Sequence, residues 1–293
     1  MLTEEYSQHI DIYQYGIATA FICAGLTGFC LHMRNISRLS KLKSTLSNDV
    51  VKLHYCLAMA CLGSISLSPF TAFGAYSKRW PFGNFSCHLY AFSGMFFGMM
   101  SIYLSCFICF FTAVETINLA NINSLVSKRY NVIIFGIWSM SLLWASLPFF
   151  KYGRYILEPH KTSCLLDWIE MDEKSKAYLY ALCILGYALP VGIAIWSQYK
   201  LKKHLAGGIT KSSKKNDERI EMLIKMNNSI LSFTIFGWLP YGILAMNALF
   251  SNQITISPFV YYLPQLVAKL AEALIPTSYS QTMKLLDTVK KSE

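Results

Sequence analysis

In "LPQLVAKLAEALIPTSY" (Leu263 to Tyr279), Lys269 stands near the middle of an almost wholly apolar stretch, and Glu272 follows one helical turn later. A desolvated amine favours its neutral form, and a neutral amine attacks an aldehyde carbon. A neighbouring carboxylate could balance the cation formed or take up a proton. Snorkelling does not explain the lysine. It lies about 11 residues into its stretch, roughly 16 Å at 1.5 Å per residue, further than a lysine stem reaches. A plain Lys269–Glu272 ion pair on one helix face is the other reading. An ionisable residue at membrane depth is a functional candidate by default.

The elements that must hold this pair are set by composition. Of 293 residues, 54% are hydrophobic and 14% charged, with a mean hydropathy of +0.37. A soluble domain carries about 25% charge, so the apolar surplus here needs lipid. Seven apolar stretches recur, each near the ~20 residues that cross a bilayer: approximately Tyr13–Met33, Val51–Tyr76, Cys87–Ile117, Val132–Phe150, Ala177–Tyr199, Met226–Phe250 and Pro258–Met283. The first is preceded by Glu4, Glu5 and Asp11 and lacks a clear cleavage site, so it reads as a span and not a signal peptide. The expected architecture is an all-α membrane bundle of seven helices forming one domain over 1–293, with tails at about 1–12 and 284–293.

The net charge of +10 sits between the stretches, at Arg34, Arg38, Lys41 and Lys43, from Lys200 through Lys202, Lys203, Lys211, Lys214 and Lys215 to Arg219, and at Lys284, Lys290 and Lys291. Cytoplasmic loops explain this bias without nucleic acid, and it places the N-terminus outside and the C-terminus in the cytoplasm. Seven of the nine cysteines (Cys23, Cys30, Cys56, Cys61, Cys106, Cys109 and Cys183) fall within predicted spans as small apolar packing residues. Neither they nor the histidines form a pattern that suggests a metal. Cys87 and Cys164 lie on the outer side, where an oxidising exterior permits a bond. Asn84-Phe85-Ser86 is a glycosylation sequon placed in an outer loop.

Together these features resemble the opsins, within the rhodopsin class of seven-helix receptors. Cys87 at the top of span three and Cys164 in the second outer loop match the class's disulfide positions. "GWLPY" (Gly237 to Tyr241) resembles its CWxPY motif. Lys269 precedes Pro276 of "IPTSY" by seven residues, the interval between the opsin lysine and the NPxxY proline, and Tyr279 supplies that motif's tyrosine. Trp138 and Pro190 fall where opsins carry theirs. "YGRYILEPHKTSCLLDW" is similar to opsin lid loops, with Glu158 six residues before Cys164. Short tails, "LEPHKTSC" and "RWPFG" look most like the retinochrome, retinal G-protein-coupled receptor (RGR) and peropsin group.

The resemblance implies a retinal chromophore, all-trans in the dark, joined to Lys269 as a Schiff base. It implies Glu158 as counterion, because the position three residues after Cys87 is Tyr90; Glu272 is the alternative or second one. Trp238, Tyr241, Tyr90, Tyr187, Gly186 and Cys183 are the expected pocket. Three polar parts of the family's activation switch are replaced: Glu115-Thr116-Ile117 lacks the arginine and tyrosine, Ile275 stands for asparagine, and the buried aspartate of span two falls near Cys61. Those departures favour a photoisomerase making 11-cis-retinal over a light-activated receptor coupled to a G protein, or a non-catalytic retinoid-binding protein. The implied partners are retinal, the bilayer and a retinoid carrier. The implied location is the plasma membrane or an intracellular photoreceptor membrane.

Overall fold

The computed structural model describes residues 2–117, 130–158, 161–168, 170–207, 214–250, 258–280 and 282–284. Span one is the helix Leu2–Ile36. Span two joins helices Asn48–Ile65 and Ser68–Ser77, and span three is Gly83–Ile117. Span four is Tyr130–Ser146 with a 3-10 turn Leu147–Phe150. Span five runs through Glu173–Ala181, a π segment Leu182–Ala188 and Leu189–Ala206. Span six is Lys214–Phe250, and span seven is Pro258–Leu274 with a 3-10 turn Ile275–Tyr279. Among the described residues, 6 helices are long and apolar enough to cross a membrane. The seventh, at 17 residues, is the one that carries Lys269 and Glu272.

The expected stretches are all helical, with shifted ends. Span six starts near Lys214 and not Met226, and span five begins at Glu173 because Asp172 caps it. The Asp172 carboxylate accepts from Ser175 N at 2.9 Å and Ser175 Oγ at 2.5 Å, which holds it below the usual aspartate range. The sequon lies in the first turn of span three, not in a loop, and Ser86 Oγ donates to Phe82 O at 2.6 Å. The last regular helix ends at Leu274, where Pro276 removes a donor. Lys211, Lys290, Lys291, Pro159, His160 and the uncharged connection 251–257 lie outside the described residues.

Prolines shape the middle of the bundle. Pro69 follows the break at Ser66–Leu67 in span two, Pro190 follows the π segment of span five, and Pro240 and Pro264 lie inside spans six and seven. Each removes a ladder hydrogen bond that other groups must replace. Span three is the axis. Its most apolar window is 83% buried, against 50% or less for the other five candidate spans, and it packs on spans two, four, five and six. The large apolar side chains that remain exposed, among them Leu26, Phe29, Val132, Phe135, Trp196 and Phe236, cover the outside of the bundle, as a lipid-facing surface requires.

The loop after span four forms a lid. Tyr155–Leu157 (β1) pairs antiparallel with Cys164–Leu166 (β2), in the register Tyr155 with Leu166 and Leu157 with Cys164. The disulfide between Cys87 and Cys164 fixes it to the top of span three, with Cα atoms 5.3 Å apart. Arg154 braces the base through Asp167 at 2.6 Å and Glu170 at 2.5 Å.

Candidate functional site

Lys269 is buried at the centre of the bundle. Its Nζ donates to the Ser64 carbonyl at 2.6 Å and to Ser64 Oγ at 2.5 Å. The break in span two makes this possible. Near Pro69 the ladder tightens, Leu67 N reaches back to Ser64 O at 3.2 Å, and the carbonyl keeps a lone pair for the amine. Lys52, the other lysine within the expected stretches, pairs with Asp49 at 2.7 Å at the exposed start of span two.

Glu272 is buried beside Lys269 on span seven. Oε1 accepts from Ser101 Oγ at 3.1 Å, and Oε2 has no hydrogen-bond partner. The backbone carbonyl of Glu272 meets His32 Nε2 at 2.9 Å. Among the described residues no direct ion pair joins Lys269 to Glu272. Each has its own partner from another span: Lys269 bonds Ser64 of span two, and Glu272 bonds Ser101 of span three, with His32 of span one on its backbone carbonyl.

Beside Lys269 lies a cavity of about 630 Å³ lined by 29 residues, among them Ser64, Tyr90, Met99, Leu165, Trp168, Cys183, Tyr187, Trp238, Tyr241 and Gln265. Apart from Lys269 the lining is largely apolar or aromatic. Trp238 stacks on Tyr241 with centroids 5.6 Å apart, and Trp168 of the lid lies 6.3 Å from Tyr241. Tyr187 OH donates to Ile235 O at 3.0 Å, tying span five to span six. Tyr90 shares a short hydrogen bond with Thr71. Gly186 is the one expected pocket residue that is not itself in the lining. It packs behind it, where an added Cβ would lie 2.9 Å from the Met99 methyl carbon. Trp138 is largely exposed on the outer face, edge-on to Phe96, and takes no part in the cavity.

Glu158 is also buried, but in the lid. Its Oε1 accepts from Thr162 Oγ1 at 2.6 Å and Thr162 N at 3.2 Å, and it acts on Tyr13, Tyr90 and Tyr262. It is not part of the cavity lining beside Lys269. Residue types alone gave no reason to single out Ser64, Ser101, His32, Gly98 or Gly74. Ser64 had a weak signal, a serine five residues before the proline of "SISLSP".

The end of the bundle away from the lid is also cross-linked. Glu115 accepts from Ser47, and from Tyr130 OH at 3.3 Å. His54 Nδ1 meets Tyr279 OH at 2.8 Å.

The family model for the 7 transmembrane receptor (rhodopsin family) matches residues 40–279. The chain belongs to the rhodopsin family of seven-transmembrane receptors. It is similar to "Rhodopsin, GQ-coupled" of Mizuhopecten yessoensis, 27% identical over 297 residues that cover 95% of this chain and 58% of that protein. The "RPE-retinal G protein-coupled receptor" of Homo sapiens is 29% identical over 228 residues, covering 76% of this chain and 72% of that one. The crystal structure of squid rhodopsin superposes with a TM-score of 0.80 at 25% identity, covering 92% of this chain and 82% of that chain. This rhodopsin-family chain spans between 51% and 58% of the length of the first three curated relatives. The relatives give no support to doubting G-protein coupling, since one is itself named as GQ-coupled.

Proposed function

We propose that this opsin-type receptor binds retinal covalently at Lys269 Nζ and acts as a photoisomerase of the retinochrome and RGR kind. The observation that carries the reading is the largely apolar cavity of about 630 Å³ with a buried primary amine in its lining. The residues fit the chromophore: one amine for an aldehyde, and aromatic walls for a polyene. When bound, retinal supplies the absorbing polyene and the double bond that light isomerises.

The chain supplies the rest. Lys269 anchors, and the lid under the Cys87–Cys164 disulfide excludes water. Trp238, Tyr241, Tyr187 and Met99 limit which bond can turn. A buried cation at Nζ needs an anion. Glu272 is the nearer carboxylate and takes the main share, while Glu158 backs the lid wall as the remote partner. The likeness to the human RGR protein supports the photoisomerase reading, as do the replaced switch residues Thr116, Ile117 and Ile275.

The test is retinal isomer composition in purified protein before and after illumination. Conversion of all-trans to mainly 11-cis is the expected result, and a light-driven change in the opposite sense would overturn the proposal. The second reading, a light-activated G-protein-coupled receptor, is favoured by the GQ-coupled relative. Light-dependent nucleotide exchange on a purified G protein tests it.

A further inference from the structure

An uncharged amine carries one carbon, two N–H bonds and one lone pair, set tetrahedrally about the nitrogen. The lone pair is what attacks an aldehyde, so the direction of the N–H bonds fixes the direction of attack. At Lys269 a single residue of span two engages both. Nζ donates to the Ser64 carbonyl at 2.6 Å and to Ser64 Oγ at 2.5 Å. Glu272, one turn further on, is held by Ser101 Oγ at 3.1 Å instead. Serines in helices commonly bond back to their own ladder, as Ser141 Oγ does to Ile137 O at 2.8 Å and Ser197 Oγ to Ile193 O at 2.7 Å. The Ser64 hydroxyl is turned across the bundle to the amine, and the break at Ser66–Leu67 lets its carbonyl turn with it.

Building on the Lys269 chromophore reading, we propose that Ser64 is a positioning residue for the condensation with retinal. It holds the two N–H bonds of Lys269 against span two, so that the lone pair faces away from Ser64 and into the cavity that both residues line. A lysine ammonium on its four-carbon stem turns freely. Two acceptors on one buried residue remove that freedom before the aldehyde arrives, which is where orientation lowers a barrier. In the reaction the Nζ lone pair forms the bond to the aldehyde carbon. Both N–H protons leave with the aldehyde oxygen as water, a C=N bond replaces C=O, and nothing is oxidised or reduced. Neither Ser64 oxygen is stranded as those protons depart. The carbonyl keeps Leu67 N at 3.2 Å, and the hydroxyl rotates about its own bond.

The experiment is the rate of covalent pigment formation in the dark by purified full-length protein at rising concentrations of all-trans-retinal. Ser64→Ala should lower the saturating rate roughly tenfold, as loss of one hydrogen bond implies, and leave the half-saturating retinal concentration unchanged. Ser64→Thr keeps the hydroxyl and should recover the rate. Ser64→Cys keeps the size but offers only a weak acceptor; it should be slow, and it carries the test should Ser64→Ala fail to fold. The retinal-free protein gives a second readout. Reductive trapping of Lys269 by a short-chain aldehyde, followed by mass spectrometry, should slow in the same order, although such an aldehyde needs no fit to the cavity. An unchanged saturating rate in Ser64→Ala or Ser64→Cys, or a change in the half-saturating concentration alone, defeats the positioning role and leaves the chromophore reading intact. Absence of covalent pigment in the wild type defeats both.

Discussion

At the residue scale, Lys269 is tolerated at membrane depth because span two offers it two oxygens of one residue. The break before Pro69 leaves the Ser64 carbonyl available, and the Ser64 hydroxyl adds a second acceptor. Lys269→Ala should abolish covalent pigment, read as a missing visible band after acid trapping, because no other described lysine reaches the cavity. The two carboxylates separate by position. Glu272→Gln should shift the dark pigment toward ultraviolet absorption at neutral pH, since it leaves the cation at Nζ without its near partner. Glu158→Gln should shift it less, and Tyr90→Phe least. A larger shift in Glu158→Gln on dark-state titration would return the main role to the lid carboxylate. Equal shifts would assign the charge to a coupled set.

At the element scale, two close approaches decide how the cavity is closed. Gly74 in the upper half of span two lies under the lid, where an added Cβ would sit 2.0 Å from the Thr162 carbonyl oxygen. Backbone cannot give way cheaply there. Gly74→Ala should displace the lid segment that holds Glu158 and cost about 2 kcal/mol or more, by the overpacking range for buried sites. Faster hydroxylamine attack on the dark pigment would reveal the opened lid, and an unchanged rate would show that the lid does not gate access. Gly98 in span three plays the same part for Trp238, whose ring edge would lie 2.3 Å from an added Cβ. A larger residue there should push the indole into the cavity and shorten the retinal that fits, measured by pigment yield with ring-truncated analogues.

At the scale of the whole molecule, span three organises the bundle and the disulfide ties it to the lid across 77 residues of sequence. Closing a loop of that length restricts the unfolded chain by about 4 kcal/mol in the chain-entropy account. Cys164→Ser should therefore lower thermal stability in detergent and release the lid. Unaltered melting would show that Arg154 and the hairpin hold it alone. We further propose that the chain is one cooperative domain, with its basic connections on the cytoplasmic side. The cluster Arg34, Arg38, Lys41 and Lys43, and the run from Lys200 to Arg219, carry that bias. A tag at the N-terminus should be reachable by antibody on intact cells and one at the C-terminus only after permeabilisation.

The sequence alone determined the membrane-spanning bundle, because each span must satisfy its own backbone within lipid and so appears as a long apolar run. It also determined that Lys269 is the chemically exceptional residue and that Cys87 and Cys164 are the outer pair, since burial of a charge and redox side are both legible along one chain. Partnership was decided only in three dimensions. Glu158 and Glu272 are both acidic residues in apolar surroundings. The lid hairpin turns the first toward Thr162, while the helical repeat of span seven turns the second toward Ser101. Ser101 and Glu272 lie 171 positions apart, and Ser64 and Lys269 lie 205 apart. Nothing local marks such contacts, because helix packing brings the partners together and no sequence spacing encodes them.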